Sequence, residues 1–372
     1  MGCRCMQVLC SAAAVVAFGC NDATGPRVGL EPAPGSPIVV GQSAYSLAGG
    51  DLNSDGLVDL VVTIPTGLVA LDTLVILLGN GNGTFQAASR LPTGRDTRHV
   101  LIADFTPDAT PDLVIANAED DVVLVRPGNG NATFQAAETS STGRFPMGLA
   151  AGDLNGDGVP DLAVAAYFSG AEVLLGAGAG AFDTNFVIAG GQGVSAVAVA
   201  DLNNDGRQDV VAVNSQYNQL GILLGKGDGT FDLAPLVDVA FQPIAIAVAD
   251  YDRDGVRDLA LTMGFSNDVA ILIGKSDGTF LVPRRFPVGQ NPRSIAAADL
   301  NDDGFLDLAV GNVTSATLSV LLGKGDGTFL KQQTFPVATS PSAVVVADFD
   351  RDGAPDVAVG SGSGAITVFL NR

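Results

Sequence analysis

Tryptophan is missing from this sequence, histidine occurs once, and 19 Lys and Arg face 40 Asp and Glu for a formal charge of −21. Each shortage closes off a class of chemistry. With His99 alone, neither a His acid–base pair nor a His metal cluster can be built, and the lone imidazole reads as a surface residue. A chain this acidic is repelled by phosphate backbones and anionic lipid, which argues against nucleic acid or a membrane surface as partner. Beyond the N-terminus, no apolar run is long enough to span a bilayer.

Cysteine is confined to Cys3, Cys5, Cys10 and Cys20. There a lone Arg4 precedes apolar "VLCSAAAVVAFGC" and polar "NDATGPR", the layout of a secretory signal over residues 1–20. The ending "AFGC" resembles a bacterial lipobox, in which Cys20 becomes lipidated, although Ala17 and Phe18 depart from the usual Leu and small residue. Ordinary signal cleavage is the alternative. Both routes give an extracytoplasmic protein, secreted or held at the membrane only through Cys20, with no cysteine pair left for a disulfide. Its rigidity must come from elsewhere.

What the chain does have is a nine-residue acidic pattern, written seven times. The copies are "DLNSDGLVD" at 51, "DFTPDATPD" at 104, "DLNGDGVPD" at 153, "DLNNDGRQD" at 201, "DYDRDGVRD" at 250, "DLNDDGFLD" at 299 and "DFDRDGAPD" at 348. Their intervals of 53, 49, 48, 49, 49 and 49 residues mark one supersecondary unit repeated around or along an axis. In each unit a short apolar run such as "IAIAVA" enters the acidic loop and a second such as "LALTM" leaves it. A variable stretch, a third run such as "VAILIG", a Gly-rich turn such as "KSDGTF" and a weaker fourth segment follow. The runs are short, β-branched and bounded by Gly, Asp or Asn, so they predict strands; the Asn-Gly and Asp-Gly pairs predict hairpins. Four antiparallel strands in each of seven units predict an all-β, seven-bladed β-propeller.

The last unit ends after its third strand, "AITVFLNR", without a "GTF" turn. At the other end, "IVVGQSAYSLAGGDLN" from Ile38 aligns without gaps with "FPVGQNPRSIAAADLN" from Phe286. Residues 37–41 are therefore expected to complete the last blade beside Ala365–Leu370 and cover its open edge. Residues 21–36, rich in Pro and Gly, read as a linker, and 37–372 as the propeller.

The loops offer oxygen at alternating positions. Position 1 is Asp51, Asp153, Asp201, Asp250, Asp299 and Asp348; position 3 is Asn53, Asn155, Asn203, Asp252, Asn301 and Asp350. Position 5 is Asp55, Asp157, Asp205, Asp254, Asp303 and Asp352, and position 9 is Asp59, Asp161, Asp209, Asp258, Asp307 and Asp356. At position 7 a backbone carbonyl would serve, leaving the side chain free to vary, as Leu57, Val159, Arg207, Val256, Phe305 and Ala354 do. All-oxygen, anionic loops suit Ca²⁺, whereas transition metals want N or S. An EF-hand would need flanking helices and a Glu at position 12, which are absent. The copy at 104 departs, with Thr106 at position 3, Pro107 at 4 and Ala109 for Gly, so about six ions are expected. Counting the copy at 104, positions 1, 3, 5 and 9 hold 23 of the 40 acidic residues, three in five loops and four in two.

Loop and period together resemble the FG-GAP and VCBS repeat family, the propellers of integrin α subunits and many bacterial surface proteins, over residues 37–372. The resemblance implies Ca²⁺ held between the first two strands of each blade, and adhesion or recognition as the role. The expected function is a non-enzymatic, monomeric, extracytoplasmic module that binds a protein or a glycan. A lectin and a propeller-fold polysaccharide-active enzyme stay open beside it. Tyr167, Phe168, Tyr217 and Phe265 fall in the variable connections after the second strands, which places the expected docking face opposite the acidic loops.

Overall fold

In every unit the second strand is apolar on both faces, so it can be stable only with a neighbour packed on each side. Asp59–Ile64, Asp112–Asn117, Asp161–Ala166, Asp209–Asn214, Asp258–Met263, Asp307–Asn312 and Asp356–Ser361 are buried at nearly every residue. A computed structural model describes residues 26–66, 71–106, 108–189 and 191–372. The expected signal segment 1–20 with Cys20, Pro107, and part of the long connection in the first unit (67–70) lie outside the described residues.

The chain forms seven antiparallel sheets in sequence order, a seven-bladed propeller. Each blade's first strand, for example Thr97–Ala103 in blade 2 or Pro292–Ala298 in blade 6, is an edge of its sheet. These inner strands touch one another in turn around the axis, and that of blade 7 (Pro341–Ala347) returns to that of blade 1 (Leu47–Gly50). Seven apolar clusters make up the core, one at each junction between blades. The cluster of Leu52, Val61 and Leu74 with Val100, Leu113 and Ile115 joins blades 1 and 2 in this way.

The hairpin turns lock neighbours together. The N–H of Gly83 donates to Phe349 O, that of Ala132 to Leu52 O, Gly180 to Phe105 O, Gly229 to Leu154 O and Gly327 to Tyr251 O. In each case the acceptor is position 2 of the preceding blade's acidic loop. The Phe that follows often stacks edge-on against the same loop: Phe85 on Phe349 at 5.9 Å, Phe182 on Phe105 at 5.8 Å, Phe329 on Tyr251 at 5.8 Å.

Ring closure runs through the N-terminus, and more of it takes part than the expected 37–41. Ile38 and Val39 pair with Ile366 and Ala365, and Leu30–Pro32 also pairs with Asn371–Phe369. The linker assignment for 21–36 is therefore corrected: from Val28 onward this segment is part of blade 7. Val28 and Leu30 are buried against Leu300, Leu318 and Phe369 between blades 6 and 7. Leu30 faces Asn371 as Phe231 faces Gly225 in blade 4, so "VGL" takes the place of the missing "GTF". Asn371 completes the substitution. Its backbone N–H donates to Asp356 Oδ1, and its side-chain amide donates to Leu300 O, the position-2 carbonyl that no turn glycine reaches at this junction.

Candidate metal centres and the opposite face

Each acidic loop folds by side-chain capping of its own backbone. In the first, the N–H groups of Asp55 and Gly56 donate to Asp51, that of Asp55 also reaches Asn53 Oδ1, and that of Leu57 donates to Asp55 Oδ1. The loops at 201, 250 and 299 repeat this pattern. The turn needs left-handed backbone at position 6, where Gly56 has φ 78° and Ala109 in the deviating copy is forced to 60°. The side chains at positions 1, 3 and 5 are thereby gathered at one end of the ring. Carboxylate oxygens of Asp250, Asp252 and Asp254 lie within 4.8 Å of one another, as do those of Asp348, Asp350 and Asp356. The other four loops carry Asn53, Asn155, Asn203 or Asn301 at position 3 and present an amide there.

Position 9 has a structural duty as well. Asp59, Asp112, Asp161, Asp209, Asp258, Asp307 and Asp356 are all fully buried. One oxygen accepts the position-2 N–H (Leu52 to Asp59, 2.9 Å) and the other accepts an N–H from the end of the third strand (Gly79, 2.8 Å). This staple explains the glycine that ends the third strand in six blades. A Cβ on Gly79, Gly128, Gly176, Gly225, Gly274 or Gly323 would lie within 2.4 Å of a backbone oxygen. Sequence reasoning read position 9 as a ligand only. The staple gives its recurrence a cause that acts even in the copy at 104, where Phe105, Thr106 and Gly128 all donate to Asp112.

Charge separates the six matching loops from the seventh. Burial pushes the Asp307 carboxyl up to about 7, against the pull of the Gly323 and Leu300 N–H groups, and Asp303 and Asp299 push it further. Asp258 and Asp356 rise to about 6 by the same causes, with Asp252 and Asp250, or Asp350 and Asp352, adding to burial. Asp59, Asp161 and Asp209 are raised likewise, each with carboxylates of positions 5 and 1 contributing. Asp112 is raised by burial, with hydrogen bonds from Gly128, Phe105 and Thr106 as the counterweights. A divalent cation would relieve the crowding in the six. The donor set there is all oxygen, and the residues fit Ca²⁺. Position-7 side chains take no part: Leu57, Arg207 and Phe305 lie over Gly81, Gly227 and Gly325 of their own blade's hairpin turn.

The other end of the ring carries the connections after the second and fourth strands. Here the central channel opens into a cavity of about 530 Å³ whose wall includes Tyr45, Arg98, His99, Arg293 and Ser294. His99, expected as a surface residue, is instead a shielded wall residue of this channel, on the inner strand Thr97–Ala103; burial lowers its pKa to about 4. Beside it Arg98 is paired with Asp96 at 2.7 Å and lies over the rings of Tyr45 (5.0 Å) and Phe145 (5.3 Å). Phe145 meets Phe168 edge-on at 5.6 Å and Phe168 meets Tyr167 at 5.1 Å, so two of the four expected aromatics join a strip that reaches the cavity. Phe145 holds φ 65°, a costly conformation for a bulky residue, and the same turn in other blades uses Asp96, Gly193, Gln242, Asn291 or Ser340. Tyr217 (56% exposed) and Phe265 (74%) stand apart on blades 4 and 5.

Comparison with solved structures returns chains of similar fold and low identity. A BBS1N domain in complex with ARL6DN, soaked with mercury, superposes with a TM-score of 0.66 at 15% identity, covering 92% of this chain and 97% of that one. A protein from Lactobacillus plantarum gives 0.61 at 15%, covering 81% and 86%. A catalytically inactive virginiamycin B lyase from Staphylococcus aureus with quinupristin gives 0.61 at 11%, covering 92% and 99%. At these identities the likeness is one of fold. No curated protein matches the chain. The FG-GAP-like repeat model, however, matches residues 51–115, 104–164, 160–212, 201–261, 250–310 and 301–359, one span after another through the blades. The chain belongs to the FG-GAP-like repeat family.

Proposed function

We propose that this propeller is a non-enzymatic recognition module of the cell envelope, stiffened by Ca²⁺ in about six of its acidic loops. The observation that carries the reading is that loop carboxylates press on the buried, stapled Asp at position 9 in six loops but not in the seventh, with three carboxylates clustered in the loops at 250 and 348. Side chains of positions 1, 3, 5 and 9 and the backbone carbonyl of position 7 would hold the ion. The ion's contribution is charge neutralisation; the loop's own hydrogen bonds supply its shape. In a propeller without disulfides, that neutralisation ties each loop to the strand behind it. The signal-like and lipobox-like N-terminus supports an extracytoplasmic site, where Ca²⁺ is plentiful. The loop carboxylates are committed to the staple and to the loops' own backbone, which favours binding over catalysis. The partner docks on the face opposite the acidic loops, a protein or a glycan.

The test is thermal unfolding in Ca²⁺ and in EGTA at low salt. A site with free Ca²⁺ at a hundredfold excess over Kd adds about 2.7 kcal/mol, so several sites together move the midpoint by many degrees. An unchanged melting temperature would overturn the metal reading.

A further inference from the structure

The cavity at the channel mouth differs in charge from the rest of the molecule. The chain carries 40 acidic side chains, and among the described residues none lines this cavity; two arginines and His99 do. The two arginines are in different states. Arg98 is held by Asp96 and by two aromatic rings, which fixes it as part of the wall. Arg293, three blades away across the ring, is exposed, with no ion pair among the described residues. Next to it the hydroxyl of Ser294 is shielded and unpartnered, and Nδ1 of His99, at the equivalent position of blade 2, is also shielded and unpartnered. Shielded polar atoms without partners are uncommon in a packed fold, and these two belong to residues that line the cavity.

We propose that this cavity binds an acidic sugar residue, its carboxylate on Arg293 and its hydroxyls on the serines of the wall. Arginine matches a carboxylate in geometry and charge. An anion would meet no opposing carboxylate in the wall, whereas anywhere on the acidic-loop face it would be repelled. A volume of about 530 Å³ accommodates one or two pyranose rings. Ser195, Ser340 and Ser342 line the wall beside apolar Ile244 and Ile295, the mix of hydroxyls and apolar surface that a sugar needs, where a bare carboxylate would need the cation alone. The inference rests on the recognition reading for its docking face and not on the metal.

The experiment is isothermal titration of the full chain in Ca²⁺ with glucuronate and galacturonate, against glucose and glutamate. Arg293→Gln and Ser294→Ala are compared with Lys331→Gln, a change on the exposed outer edge. Expected is saturable uronate binding at about millimolar Kd, weakened about tenfold or more by Arg293→Gln and left unchanged by Lys331→Gln. Absence of saturable uronate binding overturns the proposal, as does equal binding to Arg293→Gln. Glucose binding as well as uronate removes the role of the charge, and glutamate binding as well removes the sugar. Melting in Ca²⁺ and EGTA on the same samples keeps the two readings apart, since a Ca²⁺ shift without uronate binding sinks only the cavity.

Discussion

Replacing Leu30 by alanine tests whether the N-terminal segment is tether or blade. Leu30 is 7% exposed and packs with Val28 against Leu300, Leu318 and Phe369. It stands where the hairpin phenylalanine stands in the other blades, at a junction between two sheets that cannot close over a lost side chain. A buried Leu→Ala change costs about 2–5 kcal/mol, the upper part of the range applying where the site does not collapse. For a domain of this size the unfolding entropy is about 0.7 kcal/mol per kelvin, so a loss of about 3 kcal/mol lowers the melting temperature by about 4 °C. Glu31, next in the chain, is exposed, and Glu31→Ala should change stability by no more than about 0.5 kcal/mol. Both variants are melted with the wild type in saturating Ca²⁺, followed by far-ultraviolet circular dichroism. If Leu30→Ala melts with Glu31→Ala and wild type, the segment is a tether and the closure described above is wrong.

Asn371→Leu should cost about 1–3 kcal/mol in the same assay, because Leu300 O loses its partner inside the last junction. Gly225→Ala should cost about 3 kcal/mol or more, since the added methyl would sit 2.1 Å from Gln208 O and break the Asp209 staple. Ala109→Gly should stabilise by about 1 kcal/mol by relieving left-handed backbone at φ 60°, and it should not create a Ca²⁺ site, because Thr106 still occupies position 3.

What the sequence made legible was what repeats locally. A period near 49, strands of fixed length and hairpin dipeptides specify blades, and a loop whose oxygens recur at positions 1, 3, 5 and 9 specifies a place for an ion. What escaped was whatever depends on pairing between distant parts. Leu30 and Val39 lie nine residues apart where Phe231 and Asp238 lie seven apart in blade 4, so an ungapped alignment stops at Ile38. The double service of Asn371 shows only once the chain ends meet. The glycine closing six of the third strands is visible in "LLG" and "LIG", but its cause, the carbonyl at position 8 of the acidic loop, is not. His99 was misplaced because the inner strand lines an axial channel, and no periodicity within one blade reveals the axis that seven blades share.

Position 9 lets the staple and the ion be measured separately. Asp112 and Asp307 both accept from position 2 and from the third-strand glycine, and Asp112 also from Thr106, but only Asp307 faces crowded carboxylates. Asparagine keeps one acceptor and turns an amide toward the other donor, leaving a buried N–H unpaired at a cost of about 1–3 kcal/mol. For Asp112→Asn that cost should be the same in Ca²⁺ and in EGTA. For Asp307→Asn it should be smaller in EGTA, where removing a charge relieves repulsion from Asp303 and Asp299, and larger in Ca²⁺, where a ligand is lost. The pH dependence follows the same logic. The Asp307 carboxyl sits at about 7, above its unfolded value of 3.8, so the native state holds its proton longer than the unfolded chain does. In EGTA the wild type therefore loses stability as pH rises toward and through 7, and Asp307→Asn flattens that slope more than Asp112→Asn, whose carboxyl is raised by burial without neighbouring carboxylates. If Asp307→Asn costs the same with and without Ca²⁺, position 9 is a staple alone. A Ca²⁺-dependent cost at Asp112 would instead place an ion in the loop at 104.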